Sequence, residues 1–360
     1  MSLTRDDIRA AIQNGTITEA QAAGIVALSD ARRGARENLS GLDEPFELFK
    51  GFNEIFIVVG LTILYSGWSG LTAFPVFASE RGTGFAIIFG LIALATLVGL
   101  SRYFTRKRRM VAPSIALTVM VGLSAMQMGY GIAGSIGLDT DQAFVGFFIV
   151  SLCATVALIG FWVMFRVPFA LFLIALSIFA TAFWLIIAGG AEPKSPLDLF
   201  LLSAEGPFSL LTIGFGIVGF AFALWFDMSD PHRVTRRAQN GFWLHIISAP
   251  AIVNTVALTL FQEETALAYL ILMAFLLLIA VLAVTIDRRS FLVSGVGYVV
   301  ALAITVAEGQ AFIVILFLGA GLVLLGAQWE RLRRWLMNLL PAFPGKERLP
   351  PWDLLAPKVE

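Results

Sequence analysis

The residues of this sequence that could do chemistry are concentrated in one stretch, 227–250, which reads DMSDPHRVTRRAQNGFWLHIISAP. It contains both histidines of the chain, His232 and His245. Histidine titrates near neutral pH, and ionisable side chains inside a membrane often mark proton relays or binding sites. His245 lies within an apolar run, so it is the first candidate for proton transfer or ligand contact.

Several other polar residues share the apolar runs with His245. The candidate functional residues are Asn53, Glu54, Tyr65, Asn240, His245 and Asn254. We expect Glu54, Asn240 and His245 at one depth, where they would line a vestibule. The structural alternatives are that Glu54 complements a helix dipole and that His245 hydrogen-bonds a neighbouring helix. At about 100° per residue, Asn254 lies half a turn from His245, so the two do not form one site.

The polar half of the stretch predicts a loop between two membrane helices. Ser229-Asp-Pro231 favours a turn into a short helix, with Asp230 as its N-cap and Pro231 at its first position. Five loop residues are expected to contact anionic lipid headgroups or a partner: Asp227, Asp230, Arg233, Arg236 and Arg237. The alternative is that the arginines only set the topology.

The residue inventory argues against catalysis, metals and cofactors. Cys153 is the only cysteine, which excludes an intrachain disulfide and a cysteine-based metal site. Ser69, in Gly67-Trp-Ser-Gly70, lies about 24 Å from the inner face and His245 about 8 Å, too far apart for a nucleophile–base pair. We expect no enzyme, no metal and no cofactor. The zero net charge gives no reason to expect a nucleic-acid partner.

The elements that must position these residues are membrane helices. The chain is 58% hydrophobic and 14% charged, whereas a soluble domain carries about 25% charged residues. We predict an all-α, polytopic membrane protein with about ten transmembrane helices in a domain spanning 51–328. The apolar runs are 52–76, 84–101, 111–134, 142–165, 168–189, 207–226, 240–260, 265–286, 290–307 and 310–328. The last two are short and could instead form a tight outer hairpin or a re-entrant pair.

The basic residues predict the orientation. With the N-terminus inside, the inner segments carry all 25 lysines and arginines except Arg81 and Lys194. The positive-inside rule then places both termini in the cytoplasm of a bacterial inner membrane. The outer loop 190–206 divides the helices five and five, an arrangement that would invert one half relative to the other. The two halves share no convincing sequence motif, so an inverted repeat is suggested by the number of helices alone.

Two segments outside the membrane domain are expected in the cytoplasm. Residues 1–50 predict a helical hairpin, with one helix over Thr4–Gln13 and a second that starts at the capping box Thr18-Glu-Ala-Gln21 and ends near Arg36. Residues 329–360 predict an amphipathic helix followed by a proline-rich tail. The expected apolar face of that helix consists of Leu332, Trp335, Leu336 and Leu339, with Arg331 and Arg334 beside it.

Four blocks resemble a group of bacterial integral membrane proteins of unknown function. They are Gly15-Thr-Ile-Thr-Glu-Ala-Gln-Ala22, Gly51-Phe-Asn-Glu-Ile-Phe56, the pair Ser229-Asp-Pro-His-Arg233 and Phe242-Trp-Leu-His245, and Leu349-Pro-Pro-Trp352. These proteins join a short cytoplasmic Gly-x-Ile-Thr-x-x-Gln-Ala segment to a multi-helix membrane domain. The resemblance implies a fold class and no activity or catalytic residue.

Two functional hypotheses follow. One is a transporter or permease-like protein for an unknown small solute, indicated by the helix count and the polar residues at inner depth. The other is a membrane scaffold, sensor or assembly partner that acts through the hairpin and the loops. The bilayer is the expected partner of either, and the sequence does not define an oligomeric state.

Overall fold

The protein is described by a computed structural model over residues 5–32, 52–78, 81–137, 142–306, 316, 319–321, 323–324 and 326–352. These residues form helices joined by turns, with no strand among them. The helices are α1 (Arg5–Gln13), α2 (Glu19–Arg32), α3 (Phe52–Ala78), α4 (Gly82–Ser101), α5 (Val111–Ser135), α6 (Ala143–Phe165), α7 (Phe169–Ala188), α8 (Phe208–Met228), α9 (Arg236–Gln262), α10 (Ala266–Ile286), α11 (Ser290–Val306) and α12 (Trp329–Leu339).

Eight helices of the described chain, α3 to α10, are long and apolar enough to cross a membrane. They coincide with the first eight predicted runs, so the fold is that of a polytopic α-helical membrane protein. A span needs about 20 apolar residues. The ninth run forms α11, which has 17 residues. The run 310–328 lies largely outside the described residues.

The α1–α2 hairpin has the predicted capping box. The backbone N–H of Thr18 donates to Gln21 Oε1 at 2.9 Å, and the Gln21 N–H donates to Thr18 Oγ1 at 3.2 Å. This reciprocal pair satisfies two donors that a helix start leaves without partners. The expected end of α2 near Arg36 lies outside the described residues.

The start of α9 differs from the prediction. The helix begins at Arg236 instead of 240, because the Thr235 side chain caps it by accepting a hydrogen bond from the Arg237 N–H at 3.1 Å. The helix is continuous through Pro250. His245 therefore lies deeper in its helix than the sequence predicts.

The predicted apolar face of α12 is wrong in part. Leu336 is buried, whereas Trp335 and Leu339 are exposed. The face turned into the protein is set by Trp329 and Met337, both buried. The apolar residues of α12 therefore lie on two sides of the helix.

The chain divides into two compact units, which we call unit A (Phe46–Leu199 and Ala204–Phe215) and unit B (Met1–Pro45, Phe200–Ser203 and Gly216–Glu360). The boundary falls next to the predicted dividing loop 190–206, and the inverted repeat stays a prediction. The core of unit A forms around Leu117, Leu158 and Phe161.

Unit B contains α9 to α12 and has its own core. That core joins Ala249 and Val253 of α9 to Phe291 of α11 and Met337 of α12. The hairpin α1–α2 also belongs to unit B. The polar stretch 227–250 therefore lies in the same unit as both segments predicted outside the membrane.

Candidate functional site

The turn between α8 and α9 is organised by the buried carboxylate of Asp230. It accepts hydrogen bonds from the N–H groups of Val234 at 3.2 Å and Thr235 at 2.8 Å, and from the Thr235 hydroxyl at 2.7 Å. The predicted short helix starting at Pro231 is wrong. The carboxylate reaches donors four and five residues ahead, beyond the positions that an N-cap serves, and this geometry stabilises a turn.

Asp227, His245 and Arg288 meet in a buried cluster that joins α8 and α9 to the turn before α11. His245 Nε2 lies 2.8 Å from Asp227 Oδ2. Arg288 donates to the same carboxylate twice, from Nε to Oδ2 at 3.0 Å and from Nη2 to Oδ1 at 2.5 Å. Bidentate arginine–carboxylate pairing is among the strongest polar contacts in proteins. The cluster is therefore a neutralised ion pair with an imidazole attached.

A glycine and two phenylalanine rings enclose the cluster. A Cβ at Gly241 would collide with Asp227 Oδ1 and would lie 3.1 Å from the Ala223 carbonyl oxygen, so only glycine leaves room for this carboxylate. The rings of Phe220 and Phe291 lie 5.7 and 5.8 Å from the His245 imidazole, centroid to centroid. The apolar rings exclude water from the ion pair, which strengthens its electrostatic attraction.

Asp287, the neighbour of Arg288, organises a second set of contacts. It lies at the C-cap of α10 with a left-handed φ of 59°, a conformation that Asp tolerates better than most residues. Its Oδ2 lies 3.0 Å from Arg233 Nη1, and its Oδ1 accepts a hydrogen bond from the Trp329 indole N–H at 2.7 Å. The side chains of Asp287 and Arg288 thus take part in two separate sets of ionic contacts.

The Asp287 contacts extend to the C-terminal segment. Arg333 Nε lies 4.0 Å from Asp287 Oδ1. The same guanidinium donates to the carbonyl oxygens of Pro350 at 2.5 Å and Pro351 at 3.2 Å. Lys346 donates to the carbonyl oxygens at the end of α12, which lack partners within the helix. The segment that follows α12 is therefore held against it.

The N-terminal hairpin contacts the turn after α8. Arg9 Nε donates to the Val234 carbonyl oxygen at 3.1 Å. Burial raises the pKa of Glu19 in α2, and the nearby Asp230 raises it further, while His232 and Arg237 oppose the rise. The turn, the hairpin and the C-terminal segment thus belong to one polar assembly within unit B.

The candidates in unit A have structural partners there. Glu54 Oε2 accepts a hydrogen bond from the Ala112 N–H at 3.1 Å, so the buried carboxylate of α3 satisfies the start of α5. Tyr65 Oη lies 3.1 Å from Ser124 Oγ, again between α3 and α5. Glu54 thus serves the start of a neighbouring helix, and its predicted complement to the dipole of its own helix stays a prediction. Asn53 is exposed.

The remaining candidates lie on α9. Asn240 is buried and Asn254 is half-buried. The vestibule predicted from Glu54, Asn240 and His245 stays a prediction, because Glu54 belongs to unit A and the other two belong to unit B.

Three of the predicted surface contacts are corrected. Asp227, Asp230 and Arg233 are buried, and their charged groups bind other parts of the chain. They cannot reach headgroups without breaking these contacts. Arg236 and Arg237 are exposed, so their contact with headgroups or a partner stays a prediction.

Sequence reasoning missed Asp287, Arg288, Trp329 and Arg333 as members of the site. The sequence pattern accounts for Arg288 only as part of the positive-inside distribution. The available signal is the acidic–basic pair Asp287-Arg288, which lies in the short gap between the two apolar runs 265–286 and 290–307. Charges so close to two membrane helices need partners.

The fold and the site define the class as a polytopic α-helical membrane protein with a buried acid–histidine–arginine cluster. The chain matches no family model, no curated protein and no solved structure. Within the described residues, no group of three or more His, Cys, Asp or Glu side chains is arranged to hold a metal. The function is therefore inferred from the geometry of the site.

Breaking the Asp227–Arg288 pair should lower the stability of the protein strongly. Asp227→Asn removes the charge that neutralises a buried guanidinium, so it should lower the free energy of unfolding by about 3–5 kcal/mol. The matched control is Glu205→Gln, which breaks the exposed pair with Lys194 and should cost no more than about 1 kcal/mol. Thermal unfolding in detergent measures both variants, and equal effects would contradict a buried ion pair.

The stabilisation that Asp287 contributes should depend on pH. Burial would raise the pKa of this carboxyl, but Arg233, Arg333 and the Trp329 hydrogen bond outweigh burial and hold the pKa below its usual range. Its stabilisation is therefore present above about pH 4, the value for unfolded Asp, and is lost as the pH falls through the lower folded-state pKa.

Hydrogen exchange of the amides over 329–352 tests this dependence. Protection should stay constant from about pH 8 to 5. Asp287→Asn should speed exchange about tenfold across that range, because hydrogen bonds to charged groups contribute about 1.5–3 kcal/mol. Glu347→Gln removes an exposed carboxylate from the same segment and should leave exchange unchanged. Equal exchange in the two variants would refute the role of Asp287.

Proposed function

We propose that this protein is a scaffold of the bacterial cytoplasmic membrane, with ten transmembrane helices and both termini in the cytoplasm. Its working part is a cytoplasmic platform made of α1–α2, the turn 229–235, α12 and the segment 346–352. The observation that supports the proposal most strongly is the convergence of Arg233, Trp329 and Arg333 on Asp287. No enzymatic activity is part of the proposal.

The platform brings together segments that are far apart in the chain. Arg233 joins the turn to Asp287 across 54 residues, and Trp329 joins α12 to Asp287 across 42. Arg9 joins the hairpin to Val234 across 225 residues. Ordering a chain segment costs about 1–2 kcal/mol per residue, so these contacts serve a surface that needs a fixed shape. A preorganised surface binds a partner at lower entropic cost.

The hairpin offers that surface an apolar patch. Ile25 and Leu28 of α2 are 39% and 59% exposed and lie one helical turn apart. Neither residue belongs to an apolar run long enough to enter the bilayer. An apolar pair on a polar platform favours a protein partner that covers it.

Photo-crosslinking in the native membrane tests the scaffold. A photoreactive amino acid at the exposed Gly24, which lies on the face of Leu28, should give a discrete product. Ile25→Ser with Leu28→Ser should abolish the product because the apolar patch is gone. Asp287→Asn should weaken it, and Glu205→Gln should not. A product that is indifferent to the two serine substitutions would argue against the scaffold.

A second candidate function is transport of a small solute. His245 Nδ1 and Ser248 Oγ favour it, because both atoms are buried on α9 and neither hydrogen-bonds another described residue. Residues three apart share a helix face. This face of α9 therefore carries two polar atoms that are available to hydrogen-bond water or bind a proton.

Thiol labelling tests the transport path. In a Cys153→Ala background, Ile252→Cys, which lies on the helix face of His245 and Ser248, should react with a water-soluble thiol reagent if an aqueous path follows this face of α9. Asn14→Cys, in the exposed turn of the hairpin, sets the rate for full access. Protection of position 252 in the folded protein, with reaction after unfolding, would exclude such a path. This result would leave the scaffold proposal unaffected.

A further inference from the structure

The position of α12 is fixed by its inner face. Trp329, Leu336 and Met337 are buried against the rest of unit B, and the Trp329 indole N–H is held by Asp287. Arg333, on the same side, is held by the carbonyl oxygens of Pro350 and Pro351. The orientation of the helix about its own axis is therefore determined, and so is the composition of its outer face.

The outer face of α12 combines exposed aromatic, aliphatic and basic residues. Trp335 and Leu339 are 62% and 65% exposed. Arg331 is exposed one turn before Trp335, and Asn338 is exposed beside Leu339. Residues 331, 335 and 339 are four apart and so form a single stripe. A large exposed indole next to a guanidinium is costly in water and favourable at a membrane interface.

The chain itself brings this stripe to the bilayer. Trp329, the first residue of α12, donates its indole N–H to Asp287, which caps the end of the apolar helix α10. The first turn of α12 therefore lies beside the end of a helix that is long and apolar enough to cross a membrane. Phe343, which is 37% exposed just after the helix, adds to the apolar surface. The cytoplasmic leaflet is anionic and attracts arginine at about 1 kcal/mol per charge near the surface.

We propose that the outer face of α12 is a binding surface for anionic phospholipid headgroups and lies in the interface of the same bilayer. Trp335 and Leu339 enter the upper acyl region, and Arg331 pairs with a lipid phosphate. This surface does not depend on the scaffold function, because the bilayer covers the stripe whether or not a protein partner covers α2. It also explains why the two exposed apolar residues of α12 are not turned inward.

A fluorescent label at position 338 tests the proposal without altering the stripe. Asn338→Cys is made in the full-length chain in a Cys153→Ala background, and Asn14→Cys provides the aqueous control. Both are reconstituted in nanodiscs that contain phosphatidylcholine with a nitroxide near the top of its acyl chain. Quenching at position 338 should exceed that at position 14 by about twofold or more. Equal quenching at the two positions would overturn the proposal.

Two sets of substitutions identify the source of the quenching. Trp335→Ser with Leu339→Ser should reduce quenching at position 338 to the level at position 14. Phosphatidylglycerol in the nanodisc should increase quenching at position 338, and Arg331→Gln should remove that increase. An increase that survives Arg331→Gln would refute the role assigned to this arginine.

The melting temperature separates lipid contact from protein packing. Trp335→Ser with Leu339→Ser should leave it unchanged in detergent, whereas Met337→Ala should lower it, because Met337 is fully buried. A fall after the two serine substitutions as large as that of Met337→Ala would show that the stripe packs on protein, and would overturn the proposal.

Discussion

The contact on which unit B depends is the buried ion pair between Asp227 and Arg288. Removing a carboxylate and a guanidinium from water costs several kcal/mol for each ion, and the cost is recovered only with close, well-directed contacts. Both oxygens of Asp227 are used, and Gly241 leaves the space that the carboxylate fills. Because the pair joins α8 to the turn before α11, it fixes where Asp287 lies. The contacts of α12 and of the turn after α8 follow from that position.

Local rules predict the long helices, although not all of their ends. The first eight apolar runs correspond to α3 to α10, the long apolar helices of the described chain. Length and hydropathy decide which segments can span a bilayer. The capping box at Thr18 and Gln21 was predictable for a similar reason, since both of its hydrogen bonds lie within four residues. The start of α9 lies before the predicted one because the charged residues Arg236 and Arg237 form its first turn and hide that turn from a hydropathy argument.

The site could be predicted only in part, because its contacts are long-range. The sequence indicates both His245 and Asp227, but as a lone histidine and a surface acid. Their contact depends on how α8 and α9 pack, which the sequence pattern does not specify. Arg288 lies 61 residues from Asp227, and its role is invisible when loop arginines are read only as topology signals. Glu54 shows the same limit, because its partner, the Ala112 N–H, lies on another helix.

The separation of Asp227 from Arg288 also has a consequence for biosynthesis. Asp227 leaves the ribosome first, and α9 and α10 must be made before its partner exists. During this interval α8 ends in a carboxylate without its counter-ion, which opposes burial of that end in lipid. The ion pair that fixes unit B can therefore form only after α9 and α10 have been made.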